Sequence, residues 1–222
     1  MTLHSISEEN YLKAIYTLTK FNAAANTNDI AERLNAKASS VTDMVKKLSQ
    51  KGLINYKKYY GVTLTEKGQK TALIIVRKHR LWETFLHEKL DFSWDEVHEI
   101  AEELEHVSST ELINRIDRYL GYPKFDPHGD PIPNKDGVVN PHKNFFISDL
   151  NLGDKAIITG IKDSSADFLR YLGKIKLVLG AEIEVIDKMD FDNSMAIKIY
   201  EKKMLNISEH ISSNIYIKAK AE

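Results

Sequence analysis

All five prolines of this 222-residue chain (Pro123, Pro127, Pro131, Pro133 and Pro141) fall between positions 123 and 141, mixed with Gly129 and Gly137. Proline lacks an amide donor and fixes φ near −65°, so it interrupts helix interiors and central strands alike. The stretch from Gly121 to Asn144 therefore reads as a stiff, irregular linker. Residues before it repeat with helical period, and residues after it alternate like strands. The pattern predicts a mainly α fold with a small β-barrel.

Before the linker, Tyr11, Leu12, Ile15 and Leu18 recur at helical spacing within Ser7–Phe21, with Ser7 as candidate cap. Asn28–Leu34 reads as a short helix, residues 35–38 as a turn, and Ser39–Lys51 as a third helix with Val41, Val45 and Leu48 on one face. Gly52 ends it. Leu53–Tyr56 and Val62–Thr65 form a short hairpin around a polar tip. Lys67–Asp91, Trp94–Val107 and Thr110–Leu120 complete the helical part. Beyond the linker, Lys155–Ile161, Glu182–Ile186, Met195–Tyr200 and Ile215–Ala219 read as strands and Asp167–Val178 as a helix, which suggests an SH3-type barrel. The expected division is 1–72, 73–122, a linker at 123–145, and 146–222.

Charge sharpens this division. From Thr27 to Lys70 nine bases face four acids, whereas Glu88 to Glu111 holds nine acids and a single lysine. One surface thus suits a polyanion and another suits cations, although the net charge is only −1. The absence of cysteine excludes disulfides, thiolate zinc sites and cysteine nucleophiles. Lacking an 18-residue apolar run or a signal-peptide pattern, the chain is expected in the cytoplasm and off the membrane.

Helix, short helix, turn, polar-faced helix and basic hairpin resemble a winged helix-turn-helix. Lys37 in the turn, with Ser39, Ser40, Thr42, Asp43, Lys46 and Lys47 on its third helix, would face double-stranded DNA, with Lys57 and Lys58 on the wing. The lysines suit phosphates; Ser39, Ser40, Thr42 and Asp43 are placed nearer base edges. Downstream, His98, Glu102, Glu105 and His106 are spaced by four, seven and eight, and span one helix face at about 100° per residue. His79 and Glu83 form a second pair at i, i+4. Imidazole and carboxylate donors without thiolate suit Mn²⁺ or Fe²⁺.

Three sets of residues carry a resemblance to the diphtheria toxin repressor and manganese transport regulator family over almost the whole length. They are Ile30–Leu34 with Ser40-Val41-Thr42, Arg77–Leu81 with Glu105-His106-Val107, and Pro127–Pro133. The resemblance implies a homodimer that binds operator DNA when metal-loaded and represses metal-uptake genes. It also implies two metal positions per subunit. One would use Asn10, Glu102, Glu105 and His106; the other would use His79, Glu83 and His98, helped by Asp163 or Asp167 of the C-terminal domain. Glu102 stands where iron-type members have cysteine, which favours Mn²⁺ over Fe²⁺. Lys13 replaces a glutamate that some manganese-type members use, which argues against closely paired ions. In the metal-free protein the cluster's carboxylates are expected to repel one another and to leave the first helix loosely held.

Two alternatives remain: a winged-helix regulator whose metal site is only structural, and a carboxylate-bridged di-metal enzyme. The second needs Glu-x-x-His on two helices, and the chain has one such element, Glu103 to His106. No P-loop, nucleophile elbow or Rossmann glycine pattern is present, so neither catalysis nor a small organic substrate is expected. His128, in the linker, reads as a turn residue.

Overall fold

The computed structural model describes residues 4–20, 23–57, 60–93, 96–139, 145–163, 165–200 and 203–219. Its first helix, α1 (Ile6–Thr19), is opened by Ser5 rather than Ser7. Ser5 Oγ accepts from the Glu8 amide and Glu8 Oε2 accepts from the Ser5 amide, a reciprocal cap that satisfies two otherwise orphan donors. Helix α2 (Thr27–Arg33) is capped by the Asn26 side chain, and α3 is Ala38–Gln50. Leu12, Ile15, Ile30, Val41, Val45 and Leu48 close one core between these helices. Strands β1 (Ile54–Lys57) and β2 (Gly61–Leu64) pair antiparallel as the wing.

Helix α4 (Glu66–Leu90) comes next. Helix α5 is Val97–Leu104, shorter than the expected Trp94–Val107, and its expected start at 94–95 lies outside the described residues. The helix ends one residue before Glu105, so Glu105 and His106 occupy the turn after it rather than its face. Helix α6 is Thr110–Tyr119, capped by Ser109.

The chain divides into two compact units. The first comprises Met1–Trp82, Ala101–Tyr122 and Ile132–Asn140; the second comprises Glu83–Ile100, Pro123–Pro131 and Pro141–Glu222. In the first unit, buried Arg77 donates to the Pro133 carbonyl at 2.7 Å and to Asp117 at 2.6 Å. That fork fixes residues after Pro131 against α4 and α6, so this part of the linker is a packed strap.

The second unit is built on six antiparallel strands: β3 (Phe145–Phe146), β4 (Lys155–Ile161), β5 (Glu182–Lys188), β6 (Met195–Ile199), β7 (Lys203–Ile207) and β8 (Ile215–Ala219). Their order is β3-β8-β4-β5-β6-β7. Helices α7 (Ala166–Ile175) and α8 (Glu209–Ser212) complete it, and Ile158, Leu169, Leu172, Leu177 and Ile197 lie in its core. Among the described residues β3 and β7 do not pair, so the expected barrel is a small open sheet. Gly129 lies flat on β4: a Cβ there would fall 2.1 Å from the Thr159 carbonyl oxygen, and its φ is +83°. The Ile161 amide donates to the His128 carbonyl at 2.8 Å. Among the described residues no helix is long and apolar enough to cross a membrane.

Candidate metal centre

In the first unit, α1 meets the turn at the end of α5 through charged side chains. Ligand atoms of His79, Glu102 and Glu105 all lie within 4.8 Å of one another. His79 Nδ1 is 2.7 Å from Glu105 Oε2. The Lys13 ammonium donates to Glu102 Oε1 at 2.7 Å and to Glu105 Oε2 at 2.6 Å. Burial of Glu105 opposes its charge, yet the His79 bond and the Lys13 ammonium outweigh that and hold its pKa below the ordinary glutamate value. Next to them, His106 Nδ1 is 2.7 Å from Glu9 Oε2, and Lys78 approaches the same oxygen at 4.0 Å.

Two buried side-chain oxygens of this unit are left over. Asn10 Oδ1 and Glu105 Oε1 are buried without a hydrogen-bond partner, and His106 Nε2 stands 3.7 Å from the latter. An unsatisfied buried acceptor costs about 1–3 kcal/mol, so such atoms point to a missing partner. An oxygen from α1, a buried carboxylate and an imidazole fit a divalent ion of intermediate hardness. Of the expected set, Glu102 and Glu105 are joined through Lys13 and His106 stands beside Glu105; Asn10 contributes a buried oxygen on α1. His79 bonds Glu105. The carboxylates do not stand apart as expected: Lys13 bridges them.

The second unit holds another cluster. Ligand atoms of Glu83, Asp126 and His128, all buried, lie within 4.8 Å of one another. Glu83 Oε1 is 3.2 Å from His98 Nδ1 and 3.7 Å from His128 Nδ1. Asp126 makes the turn that the sequence credited to His128. Its Oδ1 accepts from the amides of His128 and Asp130, each at 2.9 Å, and turns the His128 ring toward Glu83. Asp163 is half-buried and accepts from the Ser165 amide at 2.9 Å. Asp167 does not join the cluster: its side chain is 92% exposed and pairs with Arg170.

The polar face of α3 is open. Lys37, Ser39, Ser40, Asp43 and Lys46 are exposed, whereas the Thr42 hydroxyl donates back to the Ala38 carbonyl at 3.0 Å. On the wing, the Lys57 ammonium stands 4.1 Å from the Tyr60 ring centre; Lys58 lies outside the described residues. Lys47 and Lys51 turn to α1, 3.0 and 2.6 Å from Glu8 Oε1. Burial raises the Glu8 pKa, but the two lysines outweigh it and hold the carboxyl at about 2.

Sequence reasoning missed Glu9, Asp126 and His128. Glu9 had a readable signal, its adjacency to Asn10. Asp126 and His128 sit in a segment whose prolines gave no period from which burial is read.

Three family models match: iron-dependent repressor, N-terminal DNA-binding domain (residues 5–62); iron-dependent repressor, metal-binding and dimerisation domain (65–134); and FeoA domain (147–219). The iron-dependent repressor IdeR of Mycobacterium tuberculosis is 36% identical over 125 residues, covering 56% of this chain and 54% of that protein. The chain thus spans about half the length of that curated relative. The HTH-type transcriptional regulator MntR of Lysinibacillus sphaericus is 39% identical over 110 residues, 50% of this chain and 78% of that one. A solved manganese-dependent transcriptional repressor in complex with manganese aligns over 96% of this chain and 100% of its own, at 34% identity and a TM-score of 0.83. The named relatives are regulators of transcription, not oxidases, so the di-metal enzyme alternative falls. With DNA-binding, metal-binding and FeoA regions in the family's order, the chain belongs to the family of the diphtheria toxin repressor and the manganese transport regulators.

Proposed function

We propose that the chain is a metal-activated repressor that binds operator DNA as a homodimer when loaded with Mn²⁺, with Fe²⁺ as the alternative ion. One observation carries this reading: three consecutive residues of α1 serve both halves of the task. Glu8 holds Lys47 and Lys51 at the reading helix, Glu9 bonds His106, and Asn10 presents the orphan acceptor. A helical turn is stiff, so a change in how Glu9 and Asn10 are held is passed to α3 through Glu8.

Asn10, Glu102, Glu105 and His106, with Glu9 beside them, would hold the first ion, and His79 would orient Glu105 for it. Glu83, Asp126 and His128, with His98 and Asp163, would hold the second. A bound ion supplies charge that satisfies the carboxylates and a coordination shell that joins α1 to the turn after α5. Lys37, Lys46 and Lys57 would neutralise phosphates, and Ser39, Ser40 and Asp43 would face bases. A two-fold dimer implies a pseudo-palindromic operator. Absence of thiolate donors supports Mn²⁺ as the leading ion.

Fluorescence anisotropy of DNA upstream of the chain's own gene and of neighbouring transporter genes tests this. Binding is expected with Mn²⁺ or anaerobic Fe²⁺ and is lost in chelator. Glu102→Ala should abolish metal-dependent binding and leave the dimer folded. Equal affinity in chelator would reduce the clusters to structural sites and overturn the proposal.

A further inference from the structure

Lys13 lies on α1, three residues after Asn10 and four after Glu9, so it shares their face. Its side chain is only 16% exposed, and its ammonium reaches Glu102 and Glu105, distant in sequence, at 2.7 and 2.6 Å. A fully buried carboxylate such as Glu105 is costly unless a positive group accompanies it. Lys13 and His79 supply that company. Both carboxylates are in the donor set proposed above, so the ammonium stands against oxygens that a metal ion would use.

Resting on that metal reading, we propose that Lys13 is a tethered cation that guards the first metal position. It holds Glu102 and Glu105 in the metal-free protein, and a divalent ion binds only by displacing it. Two cations competing for the same two carboxylate oxygens repel strongly at contact distance in a low-dielectric site. Glu102 is 38% exposed, which marks the solvent side along which the flexible lysine stem withdraws. Lys13 therefore docks α1 against the turn after α5 before any metal arrives, so activation exchanges one cation for another. The energy of breaking the lysine contacts is subtracted from metal binding, and Lys13 thereby raises the metal concentration at which the protein responds.

The test uses the full chain with Lys13→Met, Lys13→Gln and Lys13→Arg, at mildly alkaline pH where freed carboxylates stay ionised. Mn²⁺ affinity is read from the loss of the free-ion electron paramagnetic resonance signal. Metal-free stability is read from urea unfolding in chelator. Lys13→Met should unfold at lower urea yet bind Mn²⁺ about tenfold more tightly, a shift the size of one ordinary charge contact. Lys13→Arg should resemble wild type in both. Lys13→Gln keeps the question open to measurement should the methionine variant fail to fold. A plain structural ion pair predicts lower stability with unchanged or weaker Mn²⁺ binding in the folded variants, and that result overturns the guard role. Wild type that takes up no Mn²⁺ overturns the metal reading and this inference with it.

Discussion

Glu8 is the residue at which electrostatics and architecture meet. Its carboxylate caps α1 and accepts from Lys51 and Lys47, and its pKa falls from 4.5 to about 2. A folded-state pKa below the unfolded one gives stability that is fully present above the unfolded value. It is lost as pH drops from about 4.5 through about 2. Glu8→Gln should therefore cost roughly 2 kcal/mol near neutrality, after allowance for solvent screening of the half-exposed lysines. Urea unfolding in chelator across pH should show the gap to wild type closing toward pH 2; a gap that ignores pH would mean that shape, not charge, is what Glu8 contributes. At this scale the spacing of His98, Glu102, Glu105 and His106 pointed to a ligand-rich stretch, but not to its partition: Glu105 and His106 lie in the turn after α5, and His98 pairs with Glu83 in the other unit. The partners of Lys13 and Glu9 were not legible, because each lies about ninety residues away and only the packed fold brings them together. His128 was misread for a related reason: irregular backbone hides its burial, and a neighbouring aspartate makes the turn.

Helix α4 enters its first turn against the carbonyl of Leu53, the residue just before the wing. A Cβ on Gly68 would lie 1.8 Å from that oxygen. Thr65 secures the same junction, its hydroxyl donating to the Gly52 carbonyl and accepting from the Gly68 amide. Alanine normally gains about 1 kcal/mol over glycine inside a helix. Here the clash is with backbone, which cannot yield without moving the wing, so Gly68→Ala should destabilise by about 2–4 kcal/mol. Thermal unfolding checks this, and an unchanged or raised midpoint would show that the junction is looser than its geometry. Regular elements were otherwise the most readable part of the chain. Strands β4 and β8 begin and end where alternation placed them, because Ile-rich runs bury one face. Strand β7 escaped notice since Lys203-Met204-Leu205-Asn206 is poor in β-branched residues; it forms by adding to the free edge of β6. Two-residue β3 is too short for any period to show.

For the whole molecule, the repressor reading proposed above makes reciprocity between metal and DNA the governing relation. A net charge of −1 gives little general attraction to a polyanion, so affinity must come from a local basic face presented in the right geometry. If metal selects that geometry, it does so only through its higher affinity for it, and operator DNA must favour metal by the same factor. Couplings of this kind are typically about 5–150-fold. Operator affinity measured at saturating Mn²⁺ and in chelator gives one estimate of the factor; Mn²⁺ affinity measured with and without saturating operator gives the other. The two should agree at fixed salt and with the dimer intact in all four states. Lys13→Met tests the same cycle from the other side: it should tighten Mn²⁺ equally whether or not operator is bound, because guarding the metal position and orienting the reading helix are separate contributions that then add. A tightening seen only on free protein would mean that DNA binding already draws Lys13 away from Glu102 and Glu105. The lysine would then belong to the switch itself, and its contacts would be broken by operator as well as by metal.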